Sequence, residues 1–279
     1  MLKDLSKYDK NIHIVDGEIT FDKQNIDLFY ENNGSISLYI NNNLQWNSYD
    51  ETIYHEILVL PYMNYLKKQK RKKLNILVLG GGDGFVLREL KKFHKIIKSI
   101  DLVDFDEKIL NLHKNNKEII KLNDNGLNYK KLNIFIDDAF QYLKNNDLSK
   151  YDLIISDLVD PEDSFKTTDL YSPCFFKAIK KKMKKNAIFV THLGSSFEYK
   201  MQEELQEIID KNDYTNYKKT YFPIPTFGYY LFFSYINSKK ISINEVLETK
   251  IKNKNNKFLN NQTLKAYLKF DKINFNKDK

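Results

Sequence analysis

The chain begins with short stretches in which apolar and polar residues alternate, and this pattern persists to about residue 46. Alternation with a period of two is typical of antiparallel strands that bury one face. The dipeptides Asp16-Gly17 and Asn33-Gly34 lie between these stretches and have the composition of hairpin turns. We therefore predict a small antiparallel β domain over residues 1–49.

A helical spacing of apolar residues follows over Asp50–Lys68, and Pro61 within it predicts a kink or a break. From residue 74 onward, apolar runs alternate with amphipathic stretches of helical period. Five of these runs have the character of strands: Leu74–Leu79, Ser99–Phe105, Leu132–Ile136, Tyr151–Ser156 and Ala187–Leu193. Strands that alternate with helices favour an α/β fold, in which a doubly wound parallel sheet carries helices on both faces.

Two further strand-like runs close the predicted sheet. Thr220–Pro225 and Tyr229–Ile236 are separated by a short turn, so we expect them to form an antiparallel edge. We assign residues 50–240 to this second domain. Residues 241–279 are rich in Lys and Asn with weak helical spacing, and we predict that they form a C-terminal extension.

The net charge of +8 would suit a nucleic-acid-binding protein, but its origin argues against one. Arg71 and Arg88 are the only arginines, whereas phosphate and guanine recognition favours arginine over lysine. The single cysteine, Cys174, excludes a disulfide framework within one chain and fits a reducing, cytoplasmic location. Because no apolar run reaches 18 residues and the N-terminus has no apolar signal segment, we predict no membrane span and no signal peptide.

Carboxylates follow four successive predicted strands, each at the point where the strand ends. The first strand runs into the sequence GGGDG, in which Asp83 stands among glycines that allow a ligand to approach closely. Asp104 ends the second strand, 22 residues after Gly82, the usual distance for an acid that accepts ribose hydroxyls. Asp138 and the small Ala139 follow the third strand, where they can accept from an adenine amino group and leave room for its ring.

The fourth strand ends in the sequence SDLVDP, which contributes Asp157 and Asp160. The carboxyl ends of parallel strands meet at one edge of the sheet, where doubly wound folds bind their ligands. Each acid alone could simply cap the helix that follows it, but four together indicate a site. Asp83 would repel a diphosphate, whereas an adenosyl sulfonium compound with an aliphatic amine suits these acids.

Together, these motifs resemble the spermidine synthase family of aminopropyltransferases. The matching stretches are LQWNSYDETIYHE, LVLGGGDG, LVDFD, DDAFQYL, YDLIISDLVDP, AIFVTHLG and IPTF, in the family's order over about residues 25–235. The resemblance implies a short β-strand domain followed by a Rossmann-like, methyltransferase-type domain. It also implies a homodimer or homotetramer, joined partly through the N-terminal strands.

The resemblance assigns a role to each matching residue. For the donor, decarboxylated S-adenosylmethionine, it implies Gln45, His55, Gly80, Gly82, Asp83, Asp104, Asp138 and Ala139. In that set, Asp83 matches the residue that holds the terminal amine, Asp104 the ribose acid and Asp138 the adenine site. For the amine acceptor it implies Tyr54, Asp160, His192 and Phe227. Asp157 matches the catalytic acid, and Asp160 its partner on a gatekeeping loop that runs roughly from Leu158 to Leu170.

The chemistry of aminopropyl transfer agrees with this assignment. An amine nitrogen attacks the methylene next to the sulfonium, and methylthioadenosine leaves, but an amine is a nucleophile only when it is deprotonated. The Asp157 carboxylate, together with Tyr54, can take the proton and orient the lone pair, while Asp160 holds the cationic acceptor. The reaction needs no metal and no cofactor, since the donor is a co-substrate, and the five histidines show no metal-ligand spacing.

Several residues depart from the family pattern. Phe85 stands where the family has a small residue after GGGDG, and Phe227 where it has a tyrosine. His192 replaces a glutamine, and the loop after Asp157 is longer and lacks its usual Gly-Pro. Because the donor residues are retained, we predict aminopropyl transfer to a polyamine amine. The acceptor stays open between putrescine, which gives spermidine, and spermidine, which gives thermospermine or spermine.

Two other classes of function compete with this prediction. A methyltransferase that uses intact S-adenosylmethionine would have to place the donor's carboxylate near Asp83, and it usually carries an acid at the position of Val78. A protein that binds polyamine or nucleoside without catalysis would not need both Asp157 and Asp160. The residues therefore favour an enzyme whose partners are small molecules rather than nucleic acid or a membrane.

Overall fold

The computed structural model describes residues 13–19, 22–145, 150–158, 170–195, 199–252 and 255–269. The chain forms two compact units, divided between Thr52 and Ile53. Each unit has its own sheet.

The first unit is an antiparallel sheet of four strands in the order β1-β2-β3-β4. The strands are β1 (His13–Ile19), β2 (Asp22–Tyr30), β3 (Ile36–Ile40) and β4 (Asn43–Asn47). Alternate residues of these strands, such as Ile26, Leu28, Leu38 and Trp46, are buried, which explains the period of two in the sequence. The predicted antiparallel β unit is therefore confirmed.

Only one of the two predicted hairpin turns lies where its dipeptide stands. Asn33-Gly34 connects β2 to β3, and Gly34 has a φ of +82°, which favours glycine. The prediction for Asp16-Gly17 is wrong, because both residues lie inside β1 and pair with Asn25 and Gln24 of β2. An Asp-Gly pair marks a turn only where the ladder ends, and here the ladder continues to Ile19.

The second unit alternates strands and helices. Its elements are α1 (Glu51–Lys68, whose first two residues belong to the first unit), β5 (Leu74–Gly80), α2 (Phe85–Lys91), β6 (Ile97–Asp104), α3 (Glu107–Asn115), α4 (Lys117–Leu122), β7 (Leu132–Ile136), α5 (Ala139–Asn145), β8 (Tyr151–Asp157), α6 (Pro173–Lys182), β9 (Met183–Ser195), α7 (Tyr199–Lys211), β10 (Tyr217–Ile224), β11 (Gly228–Ile236), α8 (Ile243–Leu247) and α9 (Asn261–Tyr267).

The seven strands form one sheet in the order β10-β11-β9-β8-β5-β6-β7. The five strands from β9 to β7 are parallel, and β11 and β10 add an antiparallel edge. Along β5, Ile76 and Val78 belong to one hydrophobic core, whereas Leu77 and Leu79 belong to another. Both faces of the sheet are therefore covered, and the predicted doubly wound α/β fold with its antiparallel edge is confirmed.

Pro61 was predicted to kink or break α1, and the structure shows no break. The helix is continuous from Glu51 to Lys68, and every residue from His55 to Leu66 is buried. A proline inside a helix removes one backbone hydrogen bond and costs about 3 kcal/mol or more. Burial of nearly the whole helix circumference offsets that cost.

The C-terminal segment is part of the second unit and packs into its hydrophobic core. Val246, Ile251, Leu259 and Leu264 belong to the hydrophobic core that also contains much of α1. The fully buried carboxylate of Glu56 accepts hydrogen bonds from the backbone N–H groups of residues 257–259, at 2.7, 3.0 and 2.6 Å. One acid of α1 thus holds the segment that precedes α9.

Replacing Glu56 with glutamine should lower the free energy of unfolding by about 3 kcal/mol. The amide oxygen can accept from two of the three backbone N–H groups, but the NH₂ group then faces the third donor and cannot accept from it, and the negative charge is lost. Urea unfolding measures the loss, and Glu203→Gln, on the exposed side of α7, is the control that should change little. An unchanged midpoint for Glu56→Gln would contradict the proposed contribution of these bonds.

None of the helices in the described part of the chain is both long enough and apolar enough to cross a membrane.

Candidate active site

The glycine turn after β5 lies against the end of β8. Gly80 is paired with Asp157, and the backbone N–H of Gly81 donates to the Asp157 carbonyl at 3.1 Å. A Cβ atom added to Gly80 would lie 2.0 Å from that carbonyl oxygen, and the residue has a φ of +75°. Only glycine fits at this position, so the first glycine of the motif brings the turn onto the end of β8.

Two carboxylates and one imidazole meet beside this turn. Oδ2 of Asp83 and Oδ2 of Asp157 each lie 3.8 Å from Nε2 of His55, which α1 supplies from a buried position. Oδ1 of Asp83 accepts from the backbone N–H of Phe85 at 2.9 Å, and Oδ1 of Asp157 accepts from the hydroxyl of Tyr54 at 2.8 Å. In each acid, one oxygen is fixed by the protein and the other lies near His55.

Oδ2 of Asp157 is buried and accepts no hydrogen bond from any residue that the structure describes. An unpaired buried carboxylate oxygen is costly, and a cationic or N–H-bearing ligand would remove that cost. Ligand atoms of His55, Asp83 and Asp157 all lie within 4.8 Å of one another, a spacing that can accommodate an ammonium group or a metal ion. The histidine spacing in the sequence did not predict this cluster.

Asp104 lies at the end of β6 and contacts the same glycine turn. Its carboxylate accepts from the backbone N–H groups of Gly82 and Asp106, both at 2.9 Å. A Cβ atom on Gly82 would lie 2.6 Å from Oδ2 of Asp104, so this glycine allows the close approach. Burial raises the pKa of Asp104 to about 6, although the two backbone hydrogen bonds lower it.

Asp138 lies one strand further along the same edge. It is exposed, its Oδ1 accepts from the backbone N–H of Gln141 at 2.8 Å, and it therefore caps the start of α5, where Ala139 is buried. Asp138 therefore has the capping role that an acid at a strand end can have. Phe105 and Ile136, which are 49% and 51% exposed at the ends of the two neighbouring strands, were not predicted as site residues.

An aromatic group, which consists of the side chains of Tyr54, His192, Phe227 and Tyr230, lies beside Asp157. The ring of Tyr54 is 5.9 Å from those of His192 and Tyr230, and His192 stacks on Tyr230 at 5.3 Å. Phe227 lies 5.6 Å from Tyr230. Nε2 of His192 donates to the Leu158 carbonyl at 2.6 Å, which fixes the backbone directly after Asp157.

The structure thus brings together most of the predicted site residues of the second unit. It does not place two other predicted residues, Gln45 and Asp160, in this cluster. Gln45 lies on β4 of the first unit, where its Nε2 donates to the Asn43 carbonyl. Asp160 lies outside the described residues, as does the loop over residues 159–169. Tyr230 was missed, although the pairing of β11 with β9 places it near His192.

Comparisons with known proteins agree with this geometry. The family model described as the spermine/spermidine synthase domain matches residues 51–248. A polyamine aminopropyltransferase 2 of Aquifex aeolicus is 37% identical over 194 residues, which are 69% of this chain and 37% of that protein. A protein of the same name from Bacillus cereus is 39% identical over 172 residues, 62% of this chain and 44% of its own length. The matches therefore span less than half the length of either relative.

Solved structures share the fold. Spermidine synthase in complex with the transition-state analogue AdoDATO superimposes with a TM-score of 0.78 at 20% identity, covering 92% of this chain and 84% of the other. The spermidine synthase from Thermotoga maritima gives 0.77 with the same identity and coverage. At this identity the likeness establishes the methyltransferase-like architecture.

Proposed function

Because the chain belongs to the spermine/spermidine synthase family, we propose that it transfers an aminopropyl group from decarboxylated S-adenosylmethionine to a polyamine amine and releases methylthioadenosine. The observation that carries this proposal is the buried Oδ2 of Asp157, which accepts no hydrogen bond from the described residues and lies 3.8 Å from His55. A substrate amine is a ligand that can donate to this oxygen and react there.

The donor extends along the strand ends from Asp138 to Asp83. The ribose hydroxyls donate to Asp104, whose backbone partners leave further lone pairs on both oxygens. The exposed Phe105 and Ile136 offer apolar contacts to the adenine, near the carboxylate of Asp138. Asp83 then holds the ammonium of the aminopropyl arm.

The transfer is a displacement at carbon. The amine nitrogen forms a bond to the methylene next to the sulfonium, the carbon–sulfur bond breaks, and its electron pair stays on sulfur in methylthioadenosine. The nitrogen loses one proton, which the Asp157 carboxylate takes. The hydroxyl of Tyr54 donates to Oδ1 of Asp157, so it orients the carboxylate and leaves Oδ2 for the amine.

The acceptor lies against the aromatic group of Tyr54, His192, Phe227 and Tyr230, whose rings suit the methylene chain of a polyamine. Asp160 holds its distal cationic nitrogen, as the resemblance implies. Putrescine is the proposed acceptor, and spermidine is the alternative that a longer acceptor site would take. On the same resemblance we propose a homodimer or homotetramer, and the single cysteine supports a cytoplasmic location.

The proposal is tested by incubating the protein with decarboxylated S-adenosylmethionine and, separately, putrescine, cadaverine, spermidine or agmatine. Methylthioadenosine should form only when an amine is present, and the best amine identifies the acceptor. A chelator should leave the rate unchanged, since the cluster of His55, Asp83 and Asp157 then holds an ammonium rather than a metal ion. No methylthioadenosine with any amine, or formation of S-adenosylhomocysteine from S-adenosylmethionine, would contradict the proposal.

Binding of methylthioadenosine should weaken as the pH falls below about 6. Ribose hydroxyls donate to the Asp104 carboxylate, and burial raises the pKa of this group to about 6. Below that pH, Asp104 becomes a neutral carboxylic acid, which is a weaker hydrogen-bond acceptor. Calorimetry should find a Kd about tenfold higher at pH 5 than at pH 7.5. Asp104→Asn should bind weakly at both pH values, and an equally steep pH dependence in this variant would contradict the role of Asp104.

A further inference from the structure

Phe85, the first residue of α2, fills the position directly after the glycine turn. The family that the motifs resemble has a small residue there, whereas the phenylalanine ring is fully buried here. A large ring at the edge of a ligand site needs partners that hold it, and its neighbours indicate what it does.

Three side chains surround the ring of Phe85. The His55 ring lies 5.1 Å away at an interplanar angle of 52°, and the Arg88 guanidinium lies 5.1 Å from the ring centroid. His113 meets the ring edge-on at 6.5 Å. His113 is held in place, because it is fully buried and its Nδ1 donates to the Ile109 carbonyl at 2.8 Å, and burial also lowers its pKa to about 4.

Arg88 is fixed as well. It donates to Oε1 of Glu89 at 2.9 Å and to the Leu122 carbonyl at 2.8 Å, so hydrogen bonds to other groups hold it. Phe85 therefore packs between His55 and two hydrogen-bonded side chains, Arg88 and His113.

The imidazole of His55 is in a position that ring packing can control. Its Nε2 lies 3.8 Å from a carboxylate oxygen of both Asp83 and Asp157, so a tilt of the ring changes its distance to each acid. Tyr54 packs on it at 5.0 Å and Phe85 at 5.1 Å. The imidazole is thus packed against a ring from the acceptor side and against a ring from the glycine turn.

We propose that Phe85 is a positioning residue that acts through His55 and so sets where the cationic arm of the donor lies between Asp83 and Asp157. This inference rests on the proposed function. It concerns the arm, because His55, through which Phe85 acts, lies beside Asp83 and Asp157. Loss of the ring should therefore affect the decarboxylated donor and spare methylthioadenosine, which lacks the amine.

The test compares Phe85→Leu and Phe85→Ala with Val86→Ala, a change of the next residue in α2, which is equally buried in the core. Calorimetry gives the Kd of decarboxylated S-adenosylmethionine and of methylthioadenosine for each protein. We expect Phe85→Ala to weaken the donor about tenfold with little change for methylthioadenosine, and Phe85→Leu to show a smaller loss of the same kind. Val86→Ala should lower the melting temperature without changing the ratio of the two constants.

Carbon-13 relaxation of the His55 ring, assigned with His55→Gln, provides the second readout. The imidazole should become more mobile in both Phe85 variants and not in Val86→Ala. Equal weakening of both nucleosides, or an unchanged His55 ring, would overturn the inference. Phe85→Leu alone carries the test if Phe85→Ala does not fold.

Neither measurement requires turnover, so the two proposals can fail separately. A selective loss of donor binding in a protein that transfers nothing would overturn the proposed function and leave the role of Phe85 standing. If the wild type transfers the aminopropyl group but the Phe85 variants keep the ratio of the two Kd values, the role of Phe85 is overturned and the proposed function stands.

Discussion

Asp157→Asn should lower kcat by about 10³-fold while the Kd of methylthioadenosine changes little. The asparagine keeps the size of the side chain and can still accept from Tyr54, whose hydroxyl now donates to Oδ1 at 2.8 Å. It cannot take a proton from the attacking amine, so the step that makes the amine nucleophilic is lost. Single-turnover release of methylthioadenosine measures the change, and calorimetry measures nucleoside binding.

The matched control is Asp152→Asn. Asp152 is a buried carboxylate on the same strand, but it lies at the opposite end, where it pairs with Arg71 and with Lys184. This variant should lose stability and keep its rate per folded molecule. Equal loss of rate and nucleoside binding in Asp157→Asn would mean that Asp157 holds the site together rather than reacting in it.

Asp83→Ala should raise the Kd of decarboxylated S-adenosylmethionine about 100-fold and leave that of methylthioadenosine nearly unchanged. The two ligands share the nucleoside and differ in the cationic arm, which is the part that the proposal places on Oδ2 of Asp83. The other oxygen, Oδ1, accepts from the backbone N–H of Phe85, so the proposal gives this acid two roles, to hold the turn before α2 and to bind the arm.

Asp83→Asn separates these two functions. Its amide oxygen can still accept from the Phe85 N–H, so the turn is kept while the charge is lost. We expect a selective loss for the decarboxylated donor in Asp83→Asn as well, together with weaker discrimination against S-adenosylmethionine. A variant that binds both nucleosides equally poorly would show that Asp83 shapes the turn and does not bind the arm.

Much of the site could be predicted from the sequence because it is built from strand ends. A doubly wound sheet brings the residues after β5, β6, β7 and β8 to one edge, so four acids far apart in the chain were expected to meet. The glycine motif indicated the same place, and the structure explains it through the 2.0 and 2.6 Å approaches that a Cβ atom would make at Gly80 and Gly82.

Features that depend on contacts between distant elements were not predictable in this way. The place of His55 between two carboxylates needs α1 to pack beside β5 and β8, which no local pattern encodes. Tyr230 stacks on His192 because β11 pairs with β9, and a register shift lies between Tyr230 and Phe232. Pro61 was expected to kink or break α1, but the helix continues through it, because burial of the surrounding helix outweighs a local preference. Local chemistry predicted which residues matter, and packing decided their geometry.

The most direct test of the central claim is the mass of the amine product. The protein is incubated with decarboxylated S-adenosylmethionine and putrescine or spermidine, and the amines are analysed by mass spectrometry. The account predicts an amine that has gained one aminopropyl group, in amounts equal to the methylthioadenosine released. Unchanged amines with this donor, or a methyl group gained from S-adenosylmethionine, would contradict it.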